Sequence, residues 1–182
     1  NIKAKYSMYM PQDINDLILF FKNEIDNLAG LNITLPYKIN TFDHMHKCDK
    51  FSSKIKAVNC VKNIDGTLIG YNTDYYGFTK MLDNINTDKF SILILGNGGV
   101  ARTVAYALKE HTKNNIYVWG RNNNKVSLFI QNFNSINIKP YAKSLNKSCI
   151  VINCLPFMID EDSIHMIINK IFPKQTELFI DL

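Results

Sequence analysis

Two stretches of this sequence have the residue types and spacing for chemistry. In the first, Gly96-Asn97-Gly98-Gly99-Val100-Ala101 satisfies G-x-G-x-x-A and directly follows the apolar run Ser91 to Leu95. At a strand-to-helix turn, Gly96 would allow the tight bend and Gly98 would let the backbone approach a pyrophosphate. Ala101 would let helix and strand pack closely while the first helical N–H groups face the phosphates. Arg121 stands 25 positions after Gly96, just past the next apolar run, Ile116 to Trp119. NAD-preferring folds tend to carry an Asp or Glu there for the ribose hydroxyl, whereas a guanidinium grips a 2′-phosphate, so the expected cofactor is NADP.

The second stretch is polar. Lys38 follows Asn32-Ile33-Thr34-Leu35-Pro36-Tyr37, Asn59 lies in Ala57-Val58-Asn59-Cys60, and Asn72-Thr73-Asp74 follows a strand-like run ending at Tyr71. Uncharged polar groups with one Lys and one Asp could hold a polyhydroxylated anion. A Lys and Asp pair also suits carbonyl reduction, the ammonium donating a proton to the developing alkoxide and the carboxylate positioning it. From spacing alone, Asn and Asp at strand ends are equally well explained as turn formers.

These residues need elements to position them. Lys5 to Met10 has the pattern of a short strand, and Asp13 can cap a helix with Ile14, Leu17, Ile18, Phe21, Ile25 and Leu28 on one face, stopped by Gly30. Leu31 to Leu35 alternates like a strand, Pro36 breaks it, and the segment from Lys38 looks helical; His44, His46 and Cys48 fall within it at positions that do not share a helix face, so no metal site is expected. Val58 to Lys62 and Thr67 to Tyr71 flank a hairpin-like connection, Asn63 to Gly66. From Lys89 strands and helices alternate: Ser91–Leu95, a helix from about Val100, Ile116–Trp119, a helix from about Lys125, Ile150–Asn153 and Leu178–Asp181. The fold class expected is α/β: a small mixed α/β domain over 1–85, then a Rossmann-like, doubly wound parallel sheet over 86–182. Tyr75, Tyr76 and Phe78 are expected to pack a linking helix, and Trp119 to pack the core.

Composition excludes several classes. The 182 residues are 46% apolar and 20% charged, as in globular proteins, with no apolar run of membrane-spanning length and no secretory h-region at the start. Four cysteines, at 48, 60, 149 and 154, form no CxxC pair and suit a reduced, cytoplasmic setting. The net charge of +5 is spread along the chain, which suits small anionic ligands and argues against nucleic-acid partners. The 23 asparagines make runs such as Asn122-Asn123-Asn124 a compositional bias with no chemistry assigned.

Taken together, the motifs resemble those of the shikimate dehydrogenase family. Asn32 to Lys38 is similar to N-V-T-x-P-x-K, Ala57-Val58-Asn59 to A-V-N-T, and Gly70 to Phe78 to G-Y-N-T-D-x-x-G-F. Gly96 to Arg102 is similar to G-x-G-G-x-x-R, and Ile152-Asn153 with Pro156 to I-N-A-T-P. The resemblance implies NADPH-dependent reduction of 3-dehydroshikimate to shikimate in a cleft between two domains. It implies Lys38 and Asp74 as the catalytic pair, with Thr34, Asn59 and Asn72 near the substrate. Gly96, Gly98 and Gly99 would hold the pyrophosphate, and Arg121 matches the arginine of N-R-T, which contacts the 2′-phosphate. Gly120 and Asn122 depart from N-R-T, and Leu155 with Phe157-Met158 departs from T-P-L-G-M. A quinate or quinate/shikimate dehydrogenase is the neighbouring alternative, and a catalytically silent dinucleotide-binding module the alternative from another class. The expected partners are small molecules and a second copy of the chain. Family members begin with an S-x-S strand and continue past Asp181-Leu182 into terminal helices, so the 182 residues are expected to be part of a longer protein.

Overall fold

The computed structural model describes residues 4–133, 138–141, 148–156 and 176–182, and local signals account for most element boundaries. Asp13 opens α1 (Ile14–Glu24) by accepting from the Asp16 N–H, one of the donors a helix leaves unpaired in its first turn. The helix ends well before the expected stop at Gly30. Asn63 donates to the carbonyls of Ile25 and Leu28 and holds the chain in a turn, and Gly30 opens β1 (Gly30–Asn32) instead. A Cβ on Gly30 would collide with the Val61 carbonyl oxygen, so this residue is small because of strand pairing. Lys5 to Met10 is not a strand, contrary to expectation. Among the described residues no strand takes up its backbone groups, and Tyr6, Met8 and Met10 are exposed.

The chain continues through α2 (Lys38–Phe42), β2 (Lys47–Cys48), α3 (Lys50–Ile55), β3 (Cys60–Ile64) and β4 (Thr67–Tyr71). The hairpin is tighter than its composition suggested: only Asp65-Gly66 separates β3 from β4, both with positive φ, at 48° and 79°. That pair of left-handed residues matches the twist of the flanking strands. The strands form a sheet ordered β1-β3-β4-β2, antiparallel except where β2 runs parallel to β4. Because α2 ends at Phe42, His44 and His46 lie in the following turn and not in a helix, where His46 Nδ1 accepts from the Leu68 N–H.

α4 (Asp74–Leu82) and a short 3-10 turn lead into the second sheet: β5 (Ser91–Leu95), α5 (Gly99–His111), β6 (Ile116–Trp119), α6 (Asn123–Asn132), β7 (Ile138–Pro140), β8 (Cys149–Asn153) and β9 (Thr176–Asp181). All five strands are parallel, in the order β7-β6-β5-β8-β9. The expected alternation is present; β7 is an addition, too short and too proline-marked to show in the sequence. Ile92 and Ile94 pack toward α5 and α6, while Leu93 and Leu95 pack with Val151 and Trp119 on the other face. Burial on both faces is why these strands read as unbroken apolar runs. Asn122, assigned no chemistry from the sequence, caps α6 by accepting from the Lys125 N–H at 3.1 Å.

One apolar core joins the halves. Ile55, Ala57, Tyr75, Phe78 and Leu82 share a cluster with Ile92, Val104 and Leu108. Tyr75 and Phe78 thus pack as expected, whereas Tyr76 stays half exposed. A second cluster, including Leu17, Phe21, Val58 and Leu68, lies beneath α1. Among the described residues, no helix is long and apolar enough to cross a membrane.

Candidate active site

Lys38 is the first residue of α2, and its carbonyl accepts from the Val58 N–H at 2.8 Å, which ties the helix start to the strand edge beside Asn59. Asp74 is the first residue of α4, placed by the turn Asn72-Thr73 that ends β4. These two elements bring together side chains 36 residues apart: Lys38 Nζ donates to Asp74 Oδ2 at 2.9 Å. Asn59 completes the arrangement. Its Nδ2 donates to Asp74 Oδ1 at 2.7 Å and to Thr73 Oγ1 at 2.9 Å, while its Oδ1 accepts from the Thr73 N–H at 2.8 Å. Each carboxylate oxygen of Asp74 therefore has its own donor, which fixes the plane of the group. An ammonium carries three donors and this pair uses one, so Lys38 can still hydrogen-bond a substrate oxygen.

The pair lines a cavity of about 420 Å³ whose remaining wall is largely apolar, including Phe78 and Met81 of α4, Val100 and Val104 of α5, and Leu182. A small, mostly apolar cavity with a few converging polar groups is the usual form of a small-molecule site. Thr34 lies on the exposed turn just before Lys38, where its carbonyl accepts from the Tyr37 N–H. Asn72 is placed differently from the other candidates. It is 1% exposed, its Nδ2 donates to the Ala57 carbonyl and to Thr103 Oγ1, each at 3.1 Å, and its Oδ1 accepts from the Tyr75 N–H. Its amide is saturated behind the site, so it positions α4 and does not face the cavity.

The glycine turn adjoins this constellation. Gly96 adopts φ +110°, a conformation side chains rarely tolerate, and a Cβ there would stand 2.9 Å from the Cys154 carbonyl oxygen. Gly98 precedes α5 without a side-chain cap, and nothing lies within 4 Å of where its Cβ would be. There is thus room beside Gly98 at the start of a 13-residue helix that has no side-chain cap, and Ala101 is fully buried as expected of a close helix–strand contact. Gly99 is explained by its neighbour Lys38: a Cβ there would come within 3.0 Å of Lys38 Cβ. Burial, then the charge of Asp181, pushes the Cys154 thiol far above its ordinary value, which keeps it neutral beside the turn.

Arg121 is exposed one residue beyond Gly120. The glycine at 120 has a physical reason, since a Cβ there would press on Val126 at 2.9 Å and on the Asn97 amide at 3.2 Å. The Gly96 N–H also donates to the Trp119 carbonyl at 2.8 Å, so the end of β6 and the glycine turn are built as one unit. Trp119 packs with Leu93 and Leu95, as expected. Phe157 and Met158 lie outside the described residues, whereas Leu155 packs against the β5–β8 core face.

Sequence reasoning missed Thr103. It lines the cavity, is 2% exposed, and bonds both to Asn72 and to the Gly99 carbonyl. The one signal in the sequence was its place four residues after Gly99, where a threonine hydroxyl can bond back to the preceding turn.

Comparison with known proteins finds likenesses for both halves of the chain. Residues 1–61 match the family model described as the shikimate dehydrogenase substrate binding domain, and residues 92–171 match that of the saccharopine dehydrogenase NADP binding domain. The shikimate dehydrogenase (NADP(+)) of Clostridium botulinum strain Hall is 40% identical over 162 residues, covering 86% of this chain and 61% of the relative. That of Clostridium perfringens strain 13 is 31% identical, covering 85% and 58%. The chain thus spans about three fifths of the length of these relatives. Among solved structures, shikimate dehydrogenase from Aquifex aeolicus matches in fold with a TM-score of 0.75 at 24% identity, covering 93% of this chain and 64% of that one. Shikimate 5-dehydrogenase from Thermus thermophilus, in complex with NADP(H) and shikimate, matches with a TM-score of 0.65 at 28% identity, covering 79% and 54%. Sequence relatives, the N-terminal family model and the fold agree: the chain is similar to shikimate dehydrogenases over 86% of its length.

Proposed function

We propose that this chain supplies the substrate-binding and cofactor-binding parts of an NADP-dependent oxidoreductase that reduces 3-dehydroshikimate to shikimate. Residues 1–85 form the substrate side and residues 86–182 the dinucleotide side. The observation that carries this reading is the Lys38–Asp74 pair, held by Asn59 at the cavity wall while the Lys38 stem touches Gly99 of the glycine turn. Proton donor and cofactor turn are thereby adjacent.

The turn fits a dinucleotide: Gly98 leaves the α5 N-terminus without a side-chain cap, and Gly96 takes the positive φ of a tight turn that a side chain would not tolerate. Gly96, Gly98 and Gly99 would hold the pyrophosphate and the exposed Arg121 the 2′-phosphate. When bound, NADPH supplies the hydride. Lys38 Nζ hydrogen-bonds the substrate carbonyl oxygen and transfers a proton to it as negative charge develops. Asp74 keeps the ammonium aimed at that oxygen, and Asn59 keeps Asp74 from rotating. Thr34, on the exposed turn before Lys38, contacts a substrate hydroxyl, whereas Asn59 acts through Asp74 and Asn72 contributes from behind by fixing the first turn of α4.

Reduced-nicotinamide absorbance, followed with dehydroshikimate and with NADPH or NADH, tests the reading, and quinate with NADP in the reverse direction separates the two ring substrates. NADPH-dependent consumption of dehydroshikimate is expected. Cofactor binding without turnover of either substrate would identify a silent binding module. A cytoplasmic location and a homodimer accompany the proposal, and light scattering of the purified protein decides the second.

A further inference from the structure

We infer that Thr103 is a positioning residue that holds the Lys38–Asp74 pair in register with the first turn of α5. The inference rests on the reductase reading above and extends it to a residue outside the glycine and Lys/Asp motifs. Three bonds carry it. Asn72 Nδ2 donates to Thr103 Oγ1 at 3.1 Å, Thr103 Oγ1 donates to the Gly99 carbonyl at 3.2 Å, and Asn72 Oδ1 accepts from the Tyr75 N–H at 3.2 Å. One hydroxyl therefore connects the start of α4, where Asp74 stands, to the start of α5, where Gly99 abuts Lys38 Cβ.

Both ends of the ion pair are thus referred to the same point. Asp74 is referred to it through the Asn72 amide, and Lys38 through the backbone of Gly99. Asn72 and Thr103 are 1% and 2% exposed, so the Asn72 amide has little access to water as a substitute partner. Removing the hydroxyl would leave a buried Asn72 N–H without its acceptor, and the cheapest relief is a shift of α4 against α5. Such a shift moves the carboxylate relative to the ammonium and both relative to the cofactor turn. Displacement on the ångström scale at a reacting centre lowers rates by about tenfold to a hundredfold.

The test compares Thr103→Val, which keeps the side-chain shape, with Thr103→Ser, which keeps the hydroxyl. Thr103→Val is expected to lower kcat for dehydroshikimate by about tenfold to a hundredfold, with KM for NADPH nearly unchanged, and Thr103→Ser is expected to restore the wild-type rate. A purely space-filling role predicts the reverse order, and that result would overturn the inference, as would wild-type kcat in Thr103→Val. Should Thr103→Val fail to fold, Thr103→Ser alone decides, because a rate well below wild type in a folded protein that retains the hydroxyl contradicts it. A second readout needs no turnover and so separates this inference from the reductase reading. Amine-reagent labelling followed by mass spectrometry should show Lys38 labelled several-fold faster in Thr103→Val while other lysines keep their rates. Unchanged Lys38 labelling would refute the positioning role even if the wild-type protein proved inactive toward dehydroshikimate.

Discussion

Replacing Lys38 by Met removes the ammonium and keeps an unbranched stem against Gly99, so it isolates chemistry from packing. The structure separates the two consequences by size. The ion pair is 2.9 Å long, but the Asp74 side chain is 38% exposed and that of Lys38 17%. Pairs in such settings contribute about 0–1 kcal/mol to stability. For a domain of this size that corresponds to a fall in Tm of about 2–4 °C at most. Loss of a positioned proton donor costs on the order of 10² to 10⁴ in rate, or about 2.7–5.5 kcal/mol of barrier. The kinetic effect must therefore far exceed the thermal one. We expect kcat for dehydroshikimate, followed by reduced-nicotinamide absorbance, to fall by on the order of 10² to 10⁴, with the Kd for NADPH changed by less than about twofold. Because Lys38 and Asp74 act as a unit, adding Asp74→Asn should cost much less than its single effect. A kcat within a few-fold of wild type, or an equal loss in NADPH affinity, would refute the assignment of Lys38 as proton donor.

Arg121→Ala should weaken NADPH binding by about 1–3 kcal/mol and leave NADH binding almost untouched, as measured by titration calorimetry with both cofactors. Equal losses would mean that Arg121 does not read the 2′-phosphate. Gly96→Ala forces a side chain into φ +110° against the Cys154 carbonyl oxygen, and should destabilise the protein by about 1–3 kcal/mol in urea unfolding as well as impair cofactor binding. Tyr75 provides a pH prediction. Burial, and then its hydrogen bond to Glu110, push its hydroxyl up to about 12 from 10.0. The folded protein therefore holds this proton more tightly than the unfolded chain: the stabilisation is complete below pH ~10 and is lost as pH rises toward ~12, by about 2–3 kcal/mol. The urea midpoint should fall steeply over that range, and the fall should be shallower in Tyr75→Phe.

The residues that act through their own backbone were legible without coordinates. Gly96, Gly98 and Ala101 announce a strand-to-helix turn because the constraints on them are local: a positive φ, an uncapped helix start, and a close approach to the adjoining strand. The doubly wound half was equally legible, because strands buried on both faces must be apolar throughout, and Ser91 to Leu95 has no other use for four consecutive branched side chains. Lys38 and Asp74 were identified as candidates by type and motif, but only the fold brings them to 2.9 Å. The failures were non-local. Lys5 to Met10 has the composition of a strand and lacks a pairing partner among the described residues; the end of α1 is set by Asn63, 38 residues beyond Ile25. Asn72 and Asn59 are chemically identical side chains 13 residues apart, yet one turns inward to saturate buried groups and the other turns to the carboxylate. What the sequence determined by itself was which backbone segments bend, alternate or open onto a ligand, since those properties reside in a few neighbouring residues. Which donors meet which acceptors, and therefore what Asn72 and Thr103 do, was decided only by the tertiary structure, because a hydrogen bond between distant segments depends on packing that neither segment encodes alone.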